Sequence, residues 1–132
     1  MALVAPDVGE AKMLEIIVNK TAQANLVIHL YTNNHDPTDN SISSNFTEVT
    51  GISGYSPLTL TGASWTVSTV SNVTTAQYAA QQFNMLDPVT CYGYYMTGPA
   101  GSLMWAEKFA GGPFVLPVGG GTIEITPKVT LD

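Results

Sequence analysis

CYGYYMTGPAGSLMWAEKF, residues 91–109, gathers three tyrosines and one tryptophan around the Gly98, Pro99, Ala100, Gly101 centre. Two readings compete for it. Glu107 and Lys108 beside Trp105 suggest an acid and a base of an active site, and the tyrosines suggest a platform for sugar rings. The plainer reading is a β-hairpin. Strand side chains alternate between the two faces of a sheet, so Tyr92, Tyr94 and Met96 fall on one face and Cys91, Gly93 and Tyr95 on the other. Residues 98–101 then form a turn of hairpin length, and residues 103–109 are the return strand. The same alternation sends Glu107 and Lys108 to opposite faces, which separates the acid from the base. Large aromatics on one strand face usually pack, so the rings read as sandwich filling.

Working outward, the chain on both sides of this hairpin has the same texture. NLVIHLYTNN, residues 25–34, places Leu26, Ile28 and Leu30 on one face and Val27, His29 and Tyr31 on the other, a strand buried on one side and partly covered on the second. It ends in NNHDPTDNS, a cluster of turn formers, and a long polar loop runs to Phe46. FTEVTG, YSPLTLT, SWTVSTV, AQYAAQQFNM, FVLPV and GTIEITPKVTL continue the series. With the hairpin they make about eight or nine short strands at the spacing of a sandwich or barrel. Residues 119–121, all glycine, start the last run, and Pro127 interrupts it, as at a sheet edge or bulge. The expected fold is mainly β: a jelly-roll-like antiparallel β-sandwich.

One segment differs. PDVGEAKMLEIIVNKT, residues 6–21, reads as a helix, with Asp7 as cap, Glu10 completing a capping box, and Ala11, Leu14, Ile17 and Val18 on one stripe. Residues 1–22 are therefore an N-terminal arm and helix attached to a β-domain of residues 23–132, one globular unit overall.

Composition narrows the function. Charged residues make up 11% of the 132 residues, against roughly 25% for an average soluble domain. Low charge suits a subunit that lives in an assembly, and equally a Thr-rich β-protein. Four lysines (Lys12, Lys20, Lys108 and Lys128), no arginine and a net charge of -6 disfavour nucleic acid and anionic membranes. Cys91 is alone, which excludes an internal disulfide and fits a reducing compartment. The first residues lack the basic and apolar segments of a secretory signal, so the N-x-[ST] triplets at Asn19, Asn45 and Asn72 read as ordinary Asn and Thr of a Thr-rich chain.

The chemistry of the side chains points away from catalysis. His29 sits in mid-strand and His35 in a turn cluster, neither in a nucleophile motif. Glu48, Glu107 and Glu124 could supply a carboxylate pair, but the last two alternate with apolar neighbours as solvent-facing strand positions do. Asp36 and Asp39 with Asn33, Asn34 and Asn40 offer oxygen ligands without the EF-hand spacing. VGGG leads into a strand, so no helix N-terminus awaits a phosphate. No catalytic residue, metal or cofactor is expected. Carbohydrate binding through Tyr92, Tyr94 and Trp105 is the rival reading.

The order of segments carries a resemblance. The EAKMLEIIVNKT helix, NLVIHLYTNN, the DPTD loop, GYSPLTLTGASWTV, YAAQQFN, YGYYMTGPAGSLMWAEKF and the closing GGGTIEITPKVTL resemble small structural proteins of tailed bacteriophages, cyanophages among them. The likeness covers nearly the whole chain from Gly9 onward. It implies a virion component, closest to a capsid decoration or cement protein, assembled in the host cytoplasm and placed on the capsid surface. It implies a homo-oligomer, a trimer, bound to the major capsid protein; a neck or tail subunit is the alternative location. No catalytic residues follow from it. The helix is the expected contact, through Met13, Leu14, Ile17 and Val18, because an amphipathic helix outside a sandwich needs a partner for its stripe.

Overall fold

The computed structural model describes residues 3–131, so Met1, Ala2 and Asp132 of the expected arm and domain lie outside the described residues. Helix α1 (Asp7–Ile17) precedes eleven strands: β1 (Leu26–Tyr31), β2 (Leu58–Leu60), β3 (Thr66–Val70), β4 (Val73–Gln77), β5 (Gln81–Met85), β6 (Val89–Cys91), β7 (Gly93–Thr97), β8 (Leu103–Lys108), β9 (Phe114–Leu116), β10 (Gly121–Ile125) and β11 (Lys128–Leu131). Every strand pair is antiparallel. The protein is mainly β, with one helix near its N-terminus and packed antiparallel sheets, the class its alternating runs foretell.

The central sheet has the order β2-β1-β7-β8. Its hairpin is the one expected at residues 91–109, with Tyr94 opposite Glu107 and Met96 opposite Trp105. A bulge follows Met96, and the turn at Pro99–Gly101 closes with Ala100 and Gly101 at positive φ. One face of the sheet, carrying Ile28, Leu30, Tyr94, Met96 and Trp105, packs with Phe83 and Met85 of β5 and Ile123 and Ile125 of β10. This is the sandwich core.

The other face is also covered. Tyr31, Tyr95, Leu103 and Ala106 form a second cluster with Phe46, delivered by the long excursion of residues 32–49. Lys108 pins that excursion by donating to Asn34 and to Asp36 at 2.7 Å, so Asp36 is engaged in an ion pair. Helix α1 lies on β8, where Gly9 meets the carbonyl oxygen of Met104 with no room for a Cβ. Met13 and Ile16 pack on the core from the same side.

Several local readings change. Pro6, not Asp7, occupies the N-cap, and no side chain caps the helix; Asp7 is the first helical residue, where its carboxylate still favours the helix dipole. FTEVTG forms no strand; its backbone joins β1 through an isolated bridge between Glu48 and Tyr31. β4 and β6 are additional strands, both short and rich in Thr and Val. The alternation across the tyrosines slips at Tyr92: Cys91 joins the sandwich core, whereas Tyr92 packs with Tyr31 and Tyr95 on the other face. Here the chain passes from β6, paired with β9, to β7, paired with β1 and β8, and the face parity is not conserved between the two ladders.

Pro127 lies between two strands of different sheets, β10 paired with β5 and β11 paired with β4, and is neither within an edge strand nor at a bulge. Asn19 (φ 59°) and Asn72 (φ 68°) both adopt the left-handed conformation that Asn tolerates, one ending α1 and the other closing the β3–β4 turn.

Candidate functional site

Three groupings of side chains could carry a function. The first is polar. His29 Nδ1 lies 2.9 Å from Glu48 Oε1, and its Nε2 lies 2.9 Å from Thr97 Oγ1. The Tyr55 hydroxyl donates to the same Glu48 oxygen at 3.0 Å, and the Tyr95 ring stacks on the imidazole. Carboxylate, imidazole and hydroxyl thus stand in the order that nucleophilic catalysis uses. Their positions argue for architecture instead. Glu48 belongs to the excursion, His29 to β1 and Thr97 to β7, so the network fastens the excursion to two strands of the sheet. None of the three lines the surface depressions described next. Burial, with Glu48 adding to it, holds the hydroxyls of Tyr55 and Tyr95 above the usual phenol range, that of Tyr95 at about 12.

The second is a depression of about 270 Å³ where Glu107 and Glu124 meet Tyr94, Phe109 and Phe114. Sequence alternation makes both glutamates solvent-facing. The structure keeps Glu124 exposed, where it accepts from Gln82, but half-buries Glu107, which accepts the Tyr94 hydroxyl at 2.7 Å. Burial and this bond raise the Tyr94 hydroxyl above its ordinary range, so it stays a donor. Of the rings expected to stack on sugars, Tyr94 and Trp105 are core residues, Trp105 only 7% exposed, and Tyr92 is half-buried. The open ring is Phe114, half of a tilted ring contact with Phe109 at 4.8 Å. Trp105 also borders a groove of about 340 Å³ with Trp65, and its indole nitrogen is buried without a partner.

The third is apolar surface. Of the helix residues expected to contact a partner, Met13 turns inward, whereas Leu14, Ile17 and Val18 are 63%, 77% and 70% exposed. Helix α1 therefore has two apolar sides. One, through Gly9, Met13 and Ile16, is buried against β8 and the core; the other faces out. Ala11 lies apart from the outer side and lines a shallow hollow with Val8 and Ile42. Sequence periodicity found the outer stripe and missed the inner one, because Gly9 carries no hydrophobic signal and acts by permitting close approach.

No group of three or more His, Cys, Asp or Glu side chains suited to a metal occurs among the described residues. Among the same residues no helix is long and apolar enough to cross a membrane. No family model, curated protein or solved structure matches the chain.

Proposed function

We propose that this chain is a non-enzymatic structural subunit, a capsid decoration protein that stabilises the head of a tailed phage by bridging copies of the major capsid protein. The observation that carries the reading is the outer side of α1. Leu14, Ile17 and Val18 form an apolar surface on a helix already anchored to the sheet, so it is presented rigidly and is uncovered in the isolated chain. The likeness of segment order to phage structural proteins supplies the partner. Many modest contacts of this kind act together when a subunit spans neighbouring capsomers.

The test is co-sedimentation of the purified chain with the cognate heads. Leu14→Glu combined with Ile17→Glu should abolish association and leave the fold intact, since both side chains point to solvent. Removal of residues 1–20 is a poorer test, because it also uncovers β8. Association unchanged by the double substitution rejects the assignment.

A second reading has its own observation. The depression between Phe114 and Phe109, with Glu107 and Glu124 as acceptors, combines an open ring and carboxylates as sugar sites do. On this reading the chain is a carbohydrate-binding module of a phage. Glycan-array binding lost on Phe114→Ala favours it, and an array without any signal removes it.

A further inference from the structure

Four strands bound the two larger sheets: β2 and β8 the central one, β3 and β11 the three-stranded one. An edge strand leaves backbone N–H and C=O groups open to another chain, and proteins ordinarily block it with proline, charge, extreme shortness or a covering segment. Three of these edges are blocked. β2 has three residues and follows Pro57. β8 is covered by Val4, which exchanges hydrogen bonds of 2.8 and 2.9 Å with Ala106. β11 begins at Lys128, directly after Pro127. β3, TVSTV, has none of these devices and is exposed along its full length.

The open groups can be named. Val70 pairs with Val73 across Ser71 and Asn72, both at positive φ, so the β3–β4 hairpin closes through a two-residue turn. In such a hairpin the N–H and C=O of Val70, Ser68 and Thr66 bond to β4. Those of Val67 and Thr69 point away from it.

We infer that this edge is a self-association surface, on which β3 pairs antiparallel with β3 of a second copy of this chain about a two-fold axis through Ser68. Val67 then faces Thr69 of the second copy, and Thr69 faces its Val67, so both outward residues of both copies are hydrogen-bonded. The two three-stranded sheets become one continuous sheet.

Charge selects a second copy as the occupant. Residues 49–86 contain no Asp, Glu, Lys, Arg or His, whereas the whole chain carries a net charge of -6. Like-charged copies repel, and they can approach with less repulsion through a ribbon that holds no charge, as β3 and β4 do. A basic partner finds nothing there to attract it. Val67 and Val70, 66% and 71% exposed on opposite faces of the strand, add apolar contact on both sides of the new junction. Five residues of strand pairing give a small interface, hence a weak, reversible dimer in solution that gains strength when copies are held side by side on a surface. The inference is independent of which particle, if any, carries the chain.

Sedimentation velocity over a concentration series tests it. The mass should rise reversibly from 14.0 kDa towards twice that value. Thr69→Pro removes an N–H that the hairpin does not use, so the dimer should vanish with the circular dichroism spectrum unchanged. If that variant unfolds, a charge pair decides: Val67→Lys with Thr69→Lys in one preparation and Val67→Glu with Thr69→Glu in another should each be monomeric, and their mixture dimeric. A monomer at every concentration, a dimer indifferent to these substitutions, or a trimer in place of the dimer overturns the inference.

Discussion

His29 and Glu48 are joined by a 2.9 Å bond between Nδ1 and Oε1, and through it the end of the 32–49 excursion is fixed to the middle of β1. The bond has supports on both sides, Thr97 on the imidazole and Tyr55 on the carboxylate. Removing one member leaves each of its half-buried neighbours short of one hydrogen bond. Glu48→Ala should therefore cost about 1–3 kcal/mol in urea unfolding. The costs of His29→Ala and Glu48→Ala should be non-additive by at least about 0.5 kcal/mol, as expected of neighbours in one network. Strict additivity would mean that the two side chains do not interact.

The two sides of α1 should respond differently to truncation. Met13 packs on the core, so Met13→Ala should destabilise by about 1–2 kcal/mol, below the range for fully buried methionines because the side chain is only partly buried. Leu14→Ala and Ile17→Ala, at exposed positions, should each stay within about 0.5 kcal/mol. Thermal unfolding of the three variants checks the ranking. Equal losses would mean that the helix sits on the sheet by a different face.

Glycines divide in the same way. A Cβ on Gly93 would collide with the Glu107 carbonyl oxygen and the Tyr31 ring, both fixed in the sheet. Gly93→Ala should cost about 3 kcal/mol or prevent folding. Gly51 has a positive φ of 67° and open space around its Cβ position, so Gly51→Ala should cost only the backbone preference, about 1 kcal/mol. Expression level and chemical denaturation of the pair distinguish the two cases.

Alkaline pH should weaken the fold through its core. Burial raises the Cys91 thiol to about 11, and burial assisted by Glu48 raises the Tyr95 hydroxyl to about 12. Groups whose folded pKa is raised contribute stability that is fully present below their unfolded values, about 8.5 for a thiol and 10 for a phenol. That contribution is lost as pH rises through 11 and 12. Asp87 and Glu15 act on the acid side, their carboxyls lowered by the Ser53 backbone N–H and by Lys12 respectively, so their contribution fades as pH falls. A urea midpoint measured from about pH 2 to about pH 11 should therefore be highest in the middle and fall towards both ends. A disulfide-exchange reagent at pH 8 should leave Cys91 unmodified in the folded chain and modify it quickly in denaturant. Rapid labelling of the native protein would contradict the burial of Cys91.

Much of this architecture is legible in the residues. Alternation in residues 25–31 and around the 98–101 turn locates β1, β7 and β8, and Pro127 marks the break between β10 and β11, because each of these signals is local. What is not legible is long-range. The excursion of residues 32–49 reads as a polar loop, yet Phe46 delivers its ring to the second cluster and Glu48 its carboxylate to His29. Tyr92 changes faces because two separate ladders meet beside it. Gly9 looks like a weak point in a helix and is its contact with Met104. Glu107 looks solvent-facing until Tyr94, opposite it in the hairpin, supplies its hydrogen bond.

On the proposed function, the outer side of α1 binds a capsid shell. Cryo-electron microscopy of a tailed-phage particle proposed to carry this chain tests it directly. The account predicts density for the chain on the outside of the head, in a copy number set by the capsid lattice, with Leu14, Ile17 and Val18 buried against the major capsid protein. A small ring at the neck or tail, or a head-bound chain whose α1 faces solvent, would contradict it.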